Sequence, residues 1–306
     1  MPNPIDPHFL PHPLSPTQRL TLHGLRRAIN TTGALTKPWR VRRQQGLGVV
    51  NHRYGTRTDE TLEILEPNPQ VPRRAPVVYV HGGGWIICHK GLYTAELAFL
   101  AQHGHRVYNL DYPLAPEHPF PMPLRSLAHA LEWIMRREGE ETALHLMGDS
   151  AGGNLVTMLA LLCADPSVFE PIDPGLCQPQ RPKLRSVVSL YGVLDRTSWI
   201  VNGFPGAKLM LHSYGGPAAF AADVGPECAL TPCDLPPVLN IPCLLATGSS
   251  DPLAESSRIA REHWSNVPAR VDSIEYPGES HGFFNFHRRP AAQRLRADVI
   301  RFFEET

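Results

Sequence analysis

The chain of 306 residues is notable first for what it is short of. No run of roughly 18 apolar residues occurs, so no membrane-spanning helix is expected. The start, Met1-Pro2-Asn3-Pro4-Ile5-Asp6-Pro7, has neither a basic patch nor an apolar core. It does not read as a secretory leader, and a cytoplasmic location is expected. Neither charge is in excess: 29 basic and 29 acidic residues give no pull toward nucleic acid or an anionic membrane. The six cysteines are scattered and contain no Cys-x-x-Cys, which argues against a zinc ribbon or a thioredoxin-type dithiol. Cys163 and Cys243 lie in apolar runs and read as small buried hydrophobes. Cys228 and Cys233 are near enough to pair but read as reduced. The 15 histidines include no His-Glu-x-x-His. His8 and His12 have ligand spacing, but Pro7, Pro11 and Pro13 oppose the helix that would make it useful. No metal and no cofactor are expected.

What is present is a change of pattern along the chain. Residues 1–45 are proline-rich, then helical from Thr17 to Asn30, and end near the basic run Arg40-Val41-Arg42-Arg43, which reads as a solvated face. This segment is expected to form part of a cap over a body spanning 46–306. Leu47–Tyr54 and Thr61–Leu65 look like an antiparallel pair. From Pro76 onward apolar strands alternate with helices. The strands are expected at 77–80, 106–110, 144–147, 187–191, 243–247 and 271–276. The helices are expected at 94–102, 124–137, 153–163, 254–264 and 291–304, with Leu127, Leu131 and Ile134 at helical spacing. Such alternation predicts an α/β fold: eight strands in a mostly parallel sheet, flanked by helices on both faces. Between Asp195 and Glu227 no period stands out. That stretch, about 196–227, reads as an insertion over the C-terminal edge of the sheet, and with the N-terminal helix it would make a helical cap.

Two glycine blocks carry the chemistry. Gly148-Asp149-Ser150-Ala151-Gly152 is a G-x-S-x-G elbow between an apolar strand and an apolar helix, the setting such a nucleophile requires. A sharp turn crowds the residues two before and two after the serine, so glycine is needed at both. The helix start adds partial positive charge near a developing oxyanion. His81-Gly82-Gly83-Gly84-Trp85 follows another strand, and its bare backbone can approach a substrate carbonyl. Gly82, Gly83, Gly84 and Ala151 are the candidate oxyanion-hole residues, with two of the glycine N–H groups and that of Ala151 as the donors. His81 reads as an organiser of this loop rather than a base. An orienting acid and then a histidine must follow Ser150 in the chain. His281 lies after the last strand, and Asp251 lies in Ser249-Ser250-Asp251-Pro252 after the strand before it. Asp251 is preferred over Asp195, which comes after the strand ending at Tyr191. Ser150, Asp251 and His281 are therefore the candidate catalytic residues, with a rate that climbs as His281 loses its proton. Trp85, Phe283, Phe284 and Phe286 offer aromatic walls, which would suit short to medium acyl chains.

At these residues the chain resembles the hormone-sensitive-lipase family of α/β-hydrolases, in its bacterial carboxylesterase branch. The resemblance rests on His81–Trp85, on Asp111-Tyr112-Pro113-Leu114-Ala115-Pro116-Glu117-His118-Pro119-Phe120-Pro121, on Gly148–Gly153, on Asp251-Pro252-Leu253, and on Tyr276-Pro277-Gly278 with His281-Gly282-Phe283. It implies an α/β-hydrolase fold, a Ser150–Asp251–His281 triad and an oxyanion hole at Gly83, Gly84 and Ala151. It also implies no cofactor, a small-molecule ester as the partner, and a helical N-terminal contribution to the cap. Family members often dimerise through the edge strand or nearby helices, so a homodimer is left open. The family usually has arginine where Pro113 stands, and an acidic stretch where Ala254-Glu255-Ser256 stands. Phe204–Cys228 matches nothing in the family pattern. The same constellation would also serve a deacetylase, an amidase or a lactone hydrolase, and relatives that lost the histidine act as small-molecule receptors.

Overall fold

Strands that are apolar on both sides need cover on both faces, and the architecture follows from that need. The structure, a computed structural model, describes residues 13–43, 48–221 and 225–306. Its strands are β1 (Val49–Arg53), β2 (Thr61–Leu65), β3 (Arg74–Val80), β4 (His105–Leu110), β5 (Leu144–Asp149), β6 (Leu184–Leu190), β7 (Cys243–Gly248) and β8 (Val271–Tyr276). They form one eight-stranded sheet in the order β1-β2-β4-β3-β5-β6-β7-β8. β2 runs antiparallel to β1 and β4, and all other neighbours are parallel. The helices are α1 (Pro16–Arg43), α2 (Ala98–Gln102), α3 (Met122–Glu138), α4 (Ala151–Ala164), α5 (Ser198–Val201), α6 (Ala207–Gly215), α7 (Ala254–His263) and α8 (Pro290–Glu305).

The period of two along each strand sorts side chains between two cores. Val78 and Val80 join Leu127, Leu155 and Ala260 from α3, α4 and α7, whereas Val77 and Tyr79 join Leu100 and Val299 from α2 and α8. All four of these β3 residues are fully buried. Each buried valine contributes on the order of 1.5–3 kcal/mol. α3 buries Leu124, Leu127, Leu131 and Ile134 at helical spacing and stops at Gly139, whose φ of 97° suits glycine.

Two features depart from the sequence reading. α1 continues past Asn30 to Arg43, with Gly33 buried within it. The helix expected at 94–102 is reduced to Ala98–Gln102. The Thr94 hydroxyl instead donates to Glu63 Oε2 (2.6 Å), and Tyr93 and Glu96 turn inward to partners described below. The segment about 196–227 contains α5, α6 and 3-10 turns at Pro217–Phe220 and Pro226–Cys228. The proline-rich start with His8 and His12, the side chains of Arg40–Arg43, and residues 222–224 lie outside the described residues. All six cysteines are free thiols.

Candidate active site

Ser150 occupies the turn between β5 and α4 with φ 52° and ψ −120°, a conformation rare for a non-glycine residue. The surroundings enforce it. Ser150 N–H donates to the Leu190 carbonyl (2.8 Å), while Ser150 O accepts from Asn154 N–H (3.1 Å) and Val193 N–H (3.3 Å). The flanking glycines are required by space: a Cβ on Gly148 would lie 2.4 Å from Gly152 O, and one on Gly152 would lie 2.0 Å from Val80 O. Local strain at a site held this firmly is a common mark of function.

The sheet brings the other two candidates to the same edge. Asp251 follows β7 and His281 follows β8, its neighbour in the sheet. Ser250 N–H donates to Glu279 O (3.0 Å) and ties the two loops together. His281 Nε2 lies 3.0 Å from Ser150 Oγ, and Nδ1 lies 2.9 Å from Asp251 Oδ2. The Asp251 carboxylate is fully buried, and its Oδ1 accepts from Leu253 N–H (2.8 Å). A carboxylate at Nδ1 selects the tautomer with its proton there, which leaves Nε2 free to accept from the serine. Asp195 is elsewhere engaged: its Oδ2 accepts from Thr197 N–H (3.1 Å) and Ser198 N–H (2.6 Å) at the start of α5.

The glycine loop requires a correction at Gly82. Its N–H donates to Asp149 Oδ1 (2.7 Å), so it is not available to a substrate. Among the described residues, no acceptor takes the N–H of Gly83, Gly84 or Ala151. Gly83 (φ 111°) and Gly84 (φ 57°) adopt left-handed backbone, and Gly83 O accepts from both Ile86 and Ile87 N–H at 3.1 Å. The buried His81 donates from Nδ1 to Gly82 O (2.7 Å) and stacks on Tyr112 with ring centroids 4.6 Å apart. Burial lowers its pKa and favours the neutral ring, against the opposing pull of Asp111.

Asp149 is a site residue that sequence reasoning passed over. Besides Gly82 N–H it accepts from Tyr79 OH (2.7 Å) and Tyr93 OH (3.1 Å). Burial raises its pKa, while these donors and His81 pull the other way. The available signal was an acidic residue at the end of an apolar strand, a position that needs a partner.

The expected aromatic walls also need correction. Trp85 is fully buried, stacked on Tyr214 with centroids 4.2 Å apart and edge-on to Trp199 at 6.1 Å. Phe283 and Phe284 are fully buried in the core on the α2 and α8 face. Phe283 lies against Tyr276 (5.1 Å) and Tyr191 (5.8 Å), and Phe284 lies beneath the Arg296 guanidinium (4.5 Å). Phe286 is half-exposed beneath Arg289. Large aromatics near the site gain more from closing the core than from lining a wet cleft. Besides the buried Tyr191 at 4.8 Å, Phe204 lies edge-on to His281 at 4.8 Å with Trp199 behind it at 5.6 Å. Met210 lies against Gly84, where an added Cβ would meet its Sδ at 2.3 Å. Both come from the stretch that matched no pattern, so no motif flagged them. A cavity of about 430 Å³ lies between α1 and the loops after β3 and β4, bordered by Arg26, Ile29, His81, Cys88, Tyr112 and Leu114. Ser150 is not among its lining residues. Among the described residues there is no group of three potential metal ligands, and no helix is long and apolar enough to cross a membrane.

A sequence model of the α/β hydrolase fold matches residues 77–285, which runs from within β3 to beyond β8 and includes the glycine loop, Ser150, Asp251 and His281. The chain belongs to the α/β-hydrolase fold family. Within it, the chain falls in the hormone-sensitive-lipase branch. It is 29% identical over 253 residues to carboxylesterase NlhH of Mycobacterium tuberculosis, covering 76% of this chain and 74% of that one. Mouse hormone-sensitive lipase is 39% identical over 109 residues, which is 33% of this chain and 14% of the lipase. Among solved structures, an esterase from Pyrobaculum calidifontis superposes with TM-score 0.72 at 21% identity, covering 96% of this chain and 99% of that one. Esterase LipW from Mycobacterium marinum does so with TM-score 0.74 at 21% identity, covering 98% and 99%.

Proposed function

We propose that this α/β-hydrolase is a serine carboxylesterase acting on short- to medium-chain esters. The observation that carries the reading is the hydrogen-bonded series Asp251–His281–Ser150 beside three unclaimed N–H groups. Ser150 Oγ attacks the acyl carbon as its proton passes to His281 Nε2. The resulting oxyanion accepts from Gly83, Gly84 and Ala151 N–H, and the new imidazolium faces the Asp251 carboxylate. His281 then protonates the departing alcohol. Water, deprotonated by the same histidine, cleaves the acyl-enzyme and restores Ser150. Donors of this kind are worth about 3–4 kcal/mol each when they meet the transition state. The similarity to carboxylesterase NlhH over most of both chains supports ester chemistry.

Substrate range follows from what stands over the site. Phe204, Trp199 and Met210 belong to the 196–227 segment, which together with α1 is read as the cap. A bulky apolar cover this close to His281 and Gly84 favours small acyl groups. Six free thiols fit a reducing compartment such as the cytoplasm. The test is hydrolysis of p-nitrophenyl esters from C2 to C12. Ser150→Ala should abolish turnover of the butyrate, and a burst retained in that variant would remove the assignment. A wild-type maximum at C12 would overturn the short-chain reading.

A further inference from the structure

His281 has to be held to within a fraction of an ångström, yet it lies on a loop rather than on an element. Upstream, Glu279 O ties this loop to the one after β7 by accepting from Ser250 N–H. Downstream, Gly282 (φ 77°) leads into a 3-10 turn at Phe283–Asn285, whose own bonds, Asn285 N–H to Gly282 O and Phe286 N–H to Phe283 O, are local. A side chain from α8 supplies a distant anchor there. Arg296 Nη2 donates to Phe284 O (2.8 Å) and to Glu96 Oε2 (2.6 Å), and Nη1 donates to Ala292 O (3.0 Å). The guanidinium also lies over the rings of Phe284 (4.5 Å) and Phe99 (5.7 Å).

This pair is a costly way to stabilise a core. The Arg296 and Glu96 side chains are only 12% and 6% exposed. Desolvation offsets much of the attraction in such a pair, and apolar side chains would fill the space as well. What an apolar pair could not provide is a planar fork of fixed direction that grips a carbonyl three residues beyond His281. The origin of Glu96 adds to the argument. Tyr93, three residues before it in the same turn, donates its hydroxyl to Asp149, which in turn holds Gly82 of the glycine loop. One turn, residues 93–96, thus reaches both halves of the site.

We infer that Arg296 is a positioning residue for His281, acting through the Phe284 carbonyl, and that Glu96 fixes Arg296 in place. The inference rests on the proposed role of His281 as general base. Misplacement of a reacting group by about 1 Å can cost up to 100-fold in rate. A partial release of the loop should therefore lower kcat by about tenfold with KM little changed.

The experiment uses the full chain and three variants: Arg296→Lys, Glu96→Gln, and the apolar pair Arg296→Met with Glu96→Leu. Active sites are counted with a fluorophosphonate, and kcat, KM and the acid limb of the pH profile are measured on p-nitrophenyl butyrate. Arg296→Lys keeps the charge but not the fork, and should show the tenfold kcat loss with a displaced acid limb. Glu96→Gln, which keeps a hydrogen-bond acceptor for Arg296, should recover most of the rate. The apolar pair should melt near the wild-type temperature yet lose kcat to a similar extent, which separates positioning from stability. If that pair folds and retains the wild-type kcat and pH profile, Arg296 does not position His281 and the inference is wrong. Wild-type protein inert to esters and unlabelled by the fluorophosphonate would instead overturn the esterase reading, and this inference with it.

Discussion

Asp149→Asn should impair the reaction without touching any of the three proposed catalytic side chains. The carboxylate accepts from three donors, Gly82 N–H, Tyr79 OH and Tyr93 OH. An amide in the same place offers one accepting oxygen and an NH2 that faces donors. A tyrosine hydroxyl can turn to accept from that NH2, so the bonds persist but each loses its charge assistance. A hydrogen bond to a charged group contributes about 1.5–3 kcal/mol, and Gly82 N–H is the one that ties the glycine loop to the elbow. If that restraint is what holds Gly83 and Gly84 in line, weakening it from a charged to a neutral bond should raise the barrier by about 1–1.5 kcal/mol, roughly 5- to 13-fold in kcat. KM should stay within about threefold, because the oxyanion exists only after attack. The assay is steady-state hydrolysis of p-nitrophenyl butyrate, normalised to sites titrated with a fluorophosphonate so that unfolded protein does not count. A fully titrated Asp149→Asn enzyme with kcat within twofold of wild type would falsify the argument that Asp149 holds the oxyanion loop.

Two further outcomes follow from the same geometry and from the buried histidines. Asp251→Asn should lower kcat by about 10³–10⁴ through the wrong tautomer of His281, whereas Asp195→Asn should cost only stability at the start of α5; equal losses in the two variants would overturn the choice of acid. His145 is buried against Phe303, with Nδ1 2.7 Å from Ser186 Oγ, and burial, His105 and Arg185 push its pKa down to about 3. Because its folded pKa is below the ordinary 6.5, its contribution to stability is complete above pH 6.5 and is lost as pH falls toward 3. Between pH 7.5 and 5.0 that amounts to about 2 kcal/mol at roughly 1.4 kcal/mol per unit below 6.5. Urea unfolding of wild type and His145→Gln at both pH values checks it, and identical pH dependence in the two proteins would refute the assignment.

Much of this molecule was legible before folding because its signals are local. The strand at Val77–Val80, the helix at 124–137 and the elbow around Ser150 each depend on neighbours within a few residues. Periodicity and glycine placement report such neighbours directly. The order serine, aspartate, histidine along the chain nominated Ser150, Asp251 and His281 in the same way. The helix expected at 94–102 was not legible, because Tyr93, Thr94 and Glu96 turn toward Asp149, Glu63 and Arg296, partners far away in sequence.

The sequence by itself therefore determined the alternation of strands and helices, the two glycine blocks and the chemistry they make available. Only the tertiary structure decided which donors are free. Gly82 looks like its neighbours in the chain, but its N–H is taken by a carboxylate that the sheet brings across from β5. It likewise decided that Phe283 and Phe284 belong to the core and that Phe204 faces His281. The physical reason is the same in each case. A hydrogen bond or a buried ring is satisfied by whatever the packed chain places beside it, and that partner is set by sheet order and not by spacing along the chain.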